Sequence, residues 1–307
     1  MSRFVALRPP RRPRPASARG RVLGGWLSLL LIAGLPATAA NVDELVARGD
    51  RAWARRAEGA AASRARSQPI GEAVDAFRLA LDRAPERLDV RIRLLRSLFF
   101  LARYATEDPR EKKRLYEEGR SVFDHGLERL GRRFGARLER AEADELPALL
   151  ADAPEAGELY FWGAVHWGLW GESFGTMASV RKGVAGKIRR FGESAKALAP
   201  EYENAGAYRL LGRLHALAPR VPLFTGWVDP DLAIEYLERA VELAPADPLN
   251  RFFLAEALYE YGDEAQSGRA RQLLESAARA QPRPDRRVED GEAIADARTR
   301  LADPKGG

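Results

Sequence analysis

The 307-residue chain contains no cysteine. Disulfides, a thiol nucleophile, a cysteine–zinc centre and lipid attachment through a cysteine are therefore excluded. Histidine is nearly as scarce, with only His125, His166 and His215. No His-Glu-x-x-His or phosphate-cradling Gly-x-x-x-x-Gly-Lys-Ser/Thr motif occurs. Gly183-Val184-Ala185-Gly186-Lys187 ends suggestively, but Ile188 stands where the hydroxyl should be. Carboxylates mostly sit within four residues of an arginine, as in Glu235/Arg239, which is the pattern of a solvated helix face. The expectation is a protein that is not an enzyme, with no catalytic residue, metal site or cofactor.

Acid is missing from the first 40 residues, which carry seven arginines: Arg3, Arg8, Arg11, Arg12, Arg14, Arg19 and Arg21. Removing those seven from the net charge of +6 leaves −1 for the remainder. With arginines and acids interleaved after Ala40, nucleic acid is not an expected partner. The basic stretch precedes an apolar segment, Val22–Leu35, then Pro36 and the small-x-small site Ala37-Thr38-Ala39-Ala40. This layout reads as a signal peptide over 1–40. Its apolar run is shorter than the roughly 20 residues that span a bilayer. The expected location is the periplasm, without a lipid anchor, and membrane contact arises only through an uncleaved leader.

Beyond Ala40, β-branched runs are absent and Ala, Leu, Arg and Glu dominate, so nearly every window reads as helix. A spacing recurs within it. A small residue is followed by a larger apolar one at +4, a small one at +7 and Pro or Gly at +12. Ala73, Phe77, Ala80 and Pro85 obey it, as do Ala233, Leu237, Ala240 and Pro245, and Ala270, Leu274, Ala277 and Pro282. Gly119, Phe123, Gly126 and Gly131 form a glycine version, and Ile188, Gly192, Ala195 and Pro200 a partial one. Such offsets put small–large–small on one helical stripe, letting a neighbouring helix approach closely. Partner helices upstream carry a small residue near their middle, at Gly49, Ser97, Gly163, Gly212 and Ala255.

A helix pair of this kind resembles the tetratricopeptide repeat, and Arg251–Asp263 follows that family's first-helix pattern, including its Gly-Asp turn. The expected fold is all-α over residues 41–303: a tetratricopeptide-like solenoid of about five divergent helix pairs, a closing helix near Val288–Ala302, and a disordered tail at 304–307. Loops at Gly135–Pro154 and His215–Pro230 absorb the excess over the family's repeat length. His166 and His215 each follow a helix-crossing glycine by three residues. Their separation by a whole repeat argues for packing rather than a shared ion.

A closer resemblance rests on Leu159-Tyr160-Phe161-Trp162-Gly163-Ala164, Ala197–Tyr202 and Gly206-Ala207-Tyr208-Arg209-Leu210-Leu211-Gly212, followed by a Pro-rich loop and Asp231-Leu232-Ala233. This is similar to the T-component family associated with TRAP transporters. The resemblance implies a periplasmic accessory that docks a transporter's solute-binding subunit and holds an apolar ligand. Two departures are the missing acylation cysteine and the loop Pro222–Val228, which stands where the family has a glycine-acid turn.

Tyr160, Phe161, Trp162, Trp167, Trp170 and Phe174 crowd into 15 residues of a chain with six tryptophans. They either pack the space beneath the long loops or line a binding wall. If the first helices form a concave wall, Tyr160, Trp167, Arg209, Arg213, Phe252, Glu256 and Tyr259 lie on it. Aromatic platforms with guanidinium groups suit a carboxylate-bearing peptide or a small organic acid. Phe224 and Trp227, on an apolar connection, are a second candidate contact. The expected partner is therefore a protein, and the alternative is a small apolar or anionic ligand in an aromatic-lined cavity.

Overall fold

A computed structural model of the chain describes residues 41–221 and 225–302. The leader expected over 1–40, the tail at 304–307 and Pro222–Phe224 lie outside the described residues. The described residues form helices and no β-strand. In chain order these are α1 (Val42–Ala54), α2 (Ser67–Arg83), α3 (Leu88–Phe100), α4 (Pro109–Phe134), the short α5 (Ala136–Arg140) and α6 (Leu146–Leu149), α7 (Ala156–Phe174), α8 (Thr176–Lys182), α9 (Val184–Leu198), α10 (Tyr202–Leu217), α11 (Pro230–Leu243), α12 (Pro248–Tyr261), α13 (Glu264–Ala278) and α14 (Arg287–Ala302). None of them is long and apolar enough to cross a membrane.

The ends are set by side chains. Asp108, Asp229 and Asp247 each accept hydrogen bonds from the first backbone N–H groups of α4, α11 and α12, with proline next in line. That Asp-Pro pair satisfies an orphan donor and supplies a residue that needs none. Asn41/Glu44 and Asp263/Gln266 form capping boxes. Pro85, Pro200 and Pro245 follow the ends of α2, α9 and α11 as expected, but Gly131 does not end its helix. It lies inside α4, which runs on to Gly135 at φ +72°. A glycine weakens a helix by only about 1 kcal/mol, whereas proline removes a donor and clashes.

Successive long helices pack in series, α1 on α2, α2 on α3, α3 on α4, α4 on α7, α7 on α9 and so on to α14. The small–large–small stripes are what bring them together. Ala73, Phe77, Ala80, Ala233, Leu237, Ala240, Ala270, Leu274 and Ala277 are all fully buried. The mid-helix small residues receive the large ones. A Cβ on Gly49 would meet the Phe77 ring at 2.4 Å, one on Gly163 the Phe123 ring at 2.2 Å, and one on Gly212 Leu237 Cγ at 2.5 Å. Three apolar cores result, around Phe77 and Phe100, around Phe123 and Trp162, and around Leu254 and Leu274.

The closing helix α14 does more than cover the last hairpin. Val288 near its start belongs to the first core, and Ala297 to the last. Glu289 pairs with Arg56 at 3.0 Å, Glu292 with Arg103 at 3.1 Å, and Arg300 with Glu256 at 2.9 Å. Arg56 also donates to the Asp285 carbonyl. One helix thus touches both the beginning and the end of the series.

The glycine contacts generate an inverted expectation. An exposed helical glycine gains stability on conversion to alanine, and Gly186, with open space around it, should gain about 0.5–1 kcal/mol. Gly163→Ala and Gly212→Ala should instead lose about 1–3 kcal/mol through overpacking. Urea denaturation of the three variants checks the sign at each position.

Candidate functional site

The aromatic segment is interior. Tyr160, Phe161, Trp162, Trp167 and Trp170 are each at most 7% exposed. One stripe could not bury them all, but α7 is apolar on every side and packs against α3, α4, α9 and α10. Each indole finds an acceptor: Trp162 Nε1 donates to Tyr202 Oη at 2.9 Å, Trp167 Nε1 to Asp124 Oδ1 at 3.4 Å, and Trp170 Nε1 to Glu117. Burial pushes the Tyr160 hydroxyl up to about 12. Tyr160 and Trp167 therefore leave the list of accessible recognition residues, and Phe252, 9% exposed in the last core, leaves it too.

Arg209 is also corrected. It is 9% exposed, and its guanidinium donates to Asn250 Oδ1 at 2.7 Å, the Asn204 carbonyl at 3.2 Å and the Glu203 carbonyl at 3.1 Å. Those carbonyls belong to an unusual turn. Glu203, Asn204 and Ala205 all have φ between +50° and +59°, a left-handed conformation that costs about 1–2 kcal/mol per residue without glycine. The surroundings hold it in place. Asn250 Nδ2 donates to the Asn204 carbonyl at 3.0 Å, Arg283 to Asn204 Oδ1 at 3.1 Å, and Arg286 pairs with Glu203 at 2.6 Å. Arg283 further bridges the buried carboxylates of Asp247 (2.8 Å) and Asp290 (2.6 Å). Burial lowers the affinity of Arg209 for its proton, and carbonyls rather than a carboxylate satisfy it. Arg209 is a bolt between α10 and α12, not a ligand contact.

Three of the sequence-selected residues do converge. Arg213 on α10 and Glu256 and Tyr259 on α12 line an open groove of about 410 Å³ together with Leu217, Tyr261 and Arg300. Arg213 lies 4.1 Å over the Phe253 ring and has no carboxylate at ion-pair distance among the described residues. Glu256 is instead held by Arg300, whose guanidinium sits 5.0 Å over Tyr259. Leu217 is 66% exposed, one turn beyond Arg213, and Tyr261 Oη donates to the Ala216 carbonyl at 2.6 Å. Leu217 is not among the sequence-selected residues, although its place four residues beyond Arg213 on the same helix is a signal that could have found it. Arg300, from the distant α14, left no such signal.

Of the loop pair, Phe224 lies outside the described residues. Trp227 is half-buried, with its ring 5.5 Å from His215 and Arg189 stacked over it at 4.7 Å. His215 Nδ1 accepts from the Asp229 N–H at 3.1 Å. His166 is fully buried, with Nε2 donating to the Leu95 carbonyl at 3.0 Å and Nδ1 unpartnered. Each histidine packs at its helix crossing. His125 is exposed on α4. Comparison of the chain with protein-family models and with curated proteins finds no match.

Burial pushes His166 down to about 4, so the folded protein keeps it neutral. The unfolded chain takes up the proton near 6.5, so stability is fully present above that pH and drains away as pH falls toward 4. The loss at the acid end is of order 3 kcal/mol. Denaturation midpoints between pH 7 and 4 should fall less steeply in His166→Gln, in which the amide replaces the ring donor without a charge to gain.

Proposed function

We propose that the chain is an exported helical-repeat binding protein of the tetratricopeptide type, whose groove between α10, α12 and α14 receives a segment of a partner protein. The observation that carries this reading is the meeting of Arg213, Glu256 and Tyr259 beside an exposed Leu217. Arg213 offers charge to a carboxylate, and Leu217 and Tyr261 offer apolar surface next to it. A partner segment that places an acidic side chain or chain terminus beside an apolar one matches both. The groove is open, and the aromatic side chains that would have enclosed a small molecule are occupied in packing, which favours a polypeptide over a carried ligand.

The serial packing through small–large–small stripes supports the tetratricopeptide reading, and the segments around Tyr160–Ala164 and Gly206–Gly212 support a role beside a TRAP-type solute-binding subunit. The leader supports export, with the mature chain beginning at Asn41, whose capping box already starts the first helix. Mass spectrometry of the exported protein should find Asn41 at the N-terminus, and an intact Met1 would overturn cleavage.

Calorimetry with the mature chain and a purified TRAP solute-binding subunit of the same genome should show saturable binding. Arg213→Glu should weaken it at least tenfold, about 1.4 kcal/mol or more, with the helical circular dichroism unchanged. Absence of binding would sink the transporter role. A photo-crosslinker at position 217 that captures no discrete exported protein in the native host would sink the groove as a partner site.

A further inference from the structure

Between the paired helices α7 and α9 the chain inserts α8, an element for which the repeat spacing has no place. It is seven residues long and buries none of them. Isolated helices of that length are marginal in water, so its contacts with the neighbours must hold it. Gly175 (φ +87°) and Gly183 (φ +62°) turn the chain in and out of it. Ser179 Oγ hooks it to α7, donating to the carbonyls of Gly171 at 3.1 Å and Gly175 at 2.9 Å. The effect of this anchoring is to present apolar side chains outward. Met177 is 82% exposed, Val180 49%, and Phe174, just ahead of Gly175, 41%. Met177 and Val180, three apart, share a face. Phe174 continues that surface inward by stacking on Trp170 with centroids 4.6 Å apart.

Charge accompanies the apolar tip. From Ser173 to Gly192 the chain carries five cations, Arg181, Lys182, Lys187, Arg189 and Arg190, and no acid. Arg181 and Lys182 are exposed and have no carboxylate at ion-pair distance among the described residues, while Lys182 is near enough to Glu117 to help hold that carboxyl below its usual range. Lys113, from the first turns of α4, sits 5.3 Å over the Phe174 ring. Lys187 lies over Trp167, Arg189 over Trp227 and Arg190 on the Glu139 carbonyl, which leaves Arg181, Lys182 and Lys113 at the tip. Exposed aliphatic and aromatic groups beside these three cations match the boundary between anionic headgroups and acyl chains, where apolar burial and electrostatic attraction act together. Unlike Leu217, which lines a groove, Met177 and Val180 stand on a helix that buries none of its residues, which suits entry into a fluid layer rather than the seating of a shaped partner segment.

We propose that α8 and its flanking cations form a docking site for an anionic phospholipid surface, which the mature chain engages without its leader. Met177, Val180 and Phe174 enter the interface, and Arg181, Lys182 and Lys113 meet the phosphates. The site is separate from the α10–α12–α14 groove and does not depend on what fills it.

The test is co-sedimentation of the chain from residue 41 onward, which holds all the described helices and their cores. Vesicles of equimolar phosphatidylglycerol and phosphatidylcholine should pellet it at least about tenfold better than phosphatidylcholine alone, and added salt should release it. Met177→Asp with Val180→Asp, and Arg181→Glu with Lys182→Glu, should each lower binding about tenfold or more. Both pairs are exposed, so circular dichroism should stay unchanged. In a separate Met177→Trp variant, fluorescence should shift to the blue on the anionic vesicles. Equal binding to both vesicle types, no binding, or unaltered binding by both double variants would overturn the proposal. So would capture by poly-glutamate that the Met177→Asp/Val180→Asp pair leaves intact while vesicle binding stays weak, which would point to an acidic protein instead.

Discussion

At its closest crossings this protein lays two helices side by side by having one of them give up its side chain. Phe77, Phe123 and Leu237 each need the volume that a Cβ on Gly49, Gly163 or Gly212 would take. Dispersion and apolar burial act over a few ångströms, so the large residue stabilises the contact only if its neighbour is missing. Everything else follows from this exchange of bulk. It fixes which helices touch, how near they come and hence where Arg213, Glu256 and Arg300 stand. The same exchange explains His166, whose ring fills the room left by Gly119 and reaches the Leu95 carbonyl across a third helix.

A second layer is polar. Near the start of α10 the backbone takes three left-handed residues, and Arg209, Asn250, Arg283 and Arg286 converge on the carbonyls and side chains of that turn. Buried charge is costly unless it is paired and hydrogen-bonded, and here the carboxylates Asp247 and Asp290 share Arg283 between them. Shape alone would let the last helices slide along the array. A network of directional bonds allows one register.

The sequence made the periodic part of this plain. Three of the small–large–small stripes recur at fixed offsets with a proline behind each, and burial of every member from Ala73 to Ala277 matches them. Other features had no local signature. Gly131 resembled a stop because the rule treated Gly and Pro alike, although only proline forbids the next turn. Arg209 resembled a ligand contact because its burial depends on Asn250, 41 residues away, and on a turn whose conformation no residue type announces. The fate of Tyr160 and Trp167 depended on how many neighbours surround α7, a tertiary property. Arg213, Glu256 and Tyr259 share one groove because helical spacing alone places them on facing helices, whereas Arg300 closes the same groove from a helix whose path could not be read from its own residues.

That path of α14 has a thermodynamic meaning. A row of hairpins with loose ends is a one-dimensional system, in which each unit feels only its neighbours and melting can creep inward from either extremity. Val288 in the first core, with Glu289 on Arg56 and Glu292 on Arg103, joins tail to head and turns the line into a circle of couplings. A circle has no terminal unit at which fraying can begin. Loss of order in the final helix is felt at once by the opening hairpin, some 230 residues earlier in the chain, and the ensemble is pushed toward two populations, whole or open, in place of a ladder of partly melted forms.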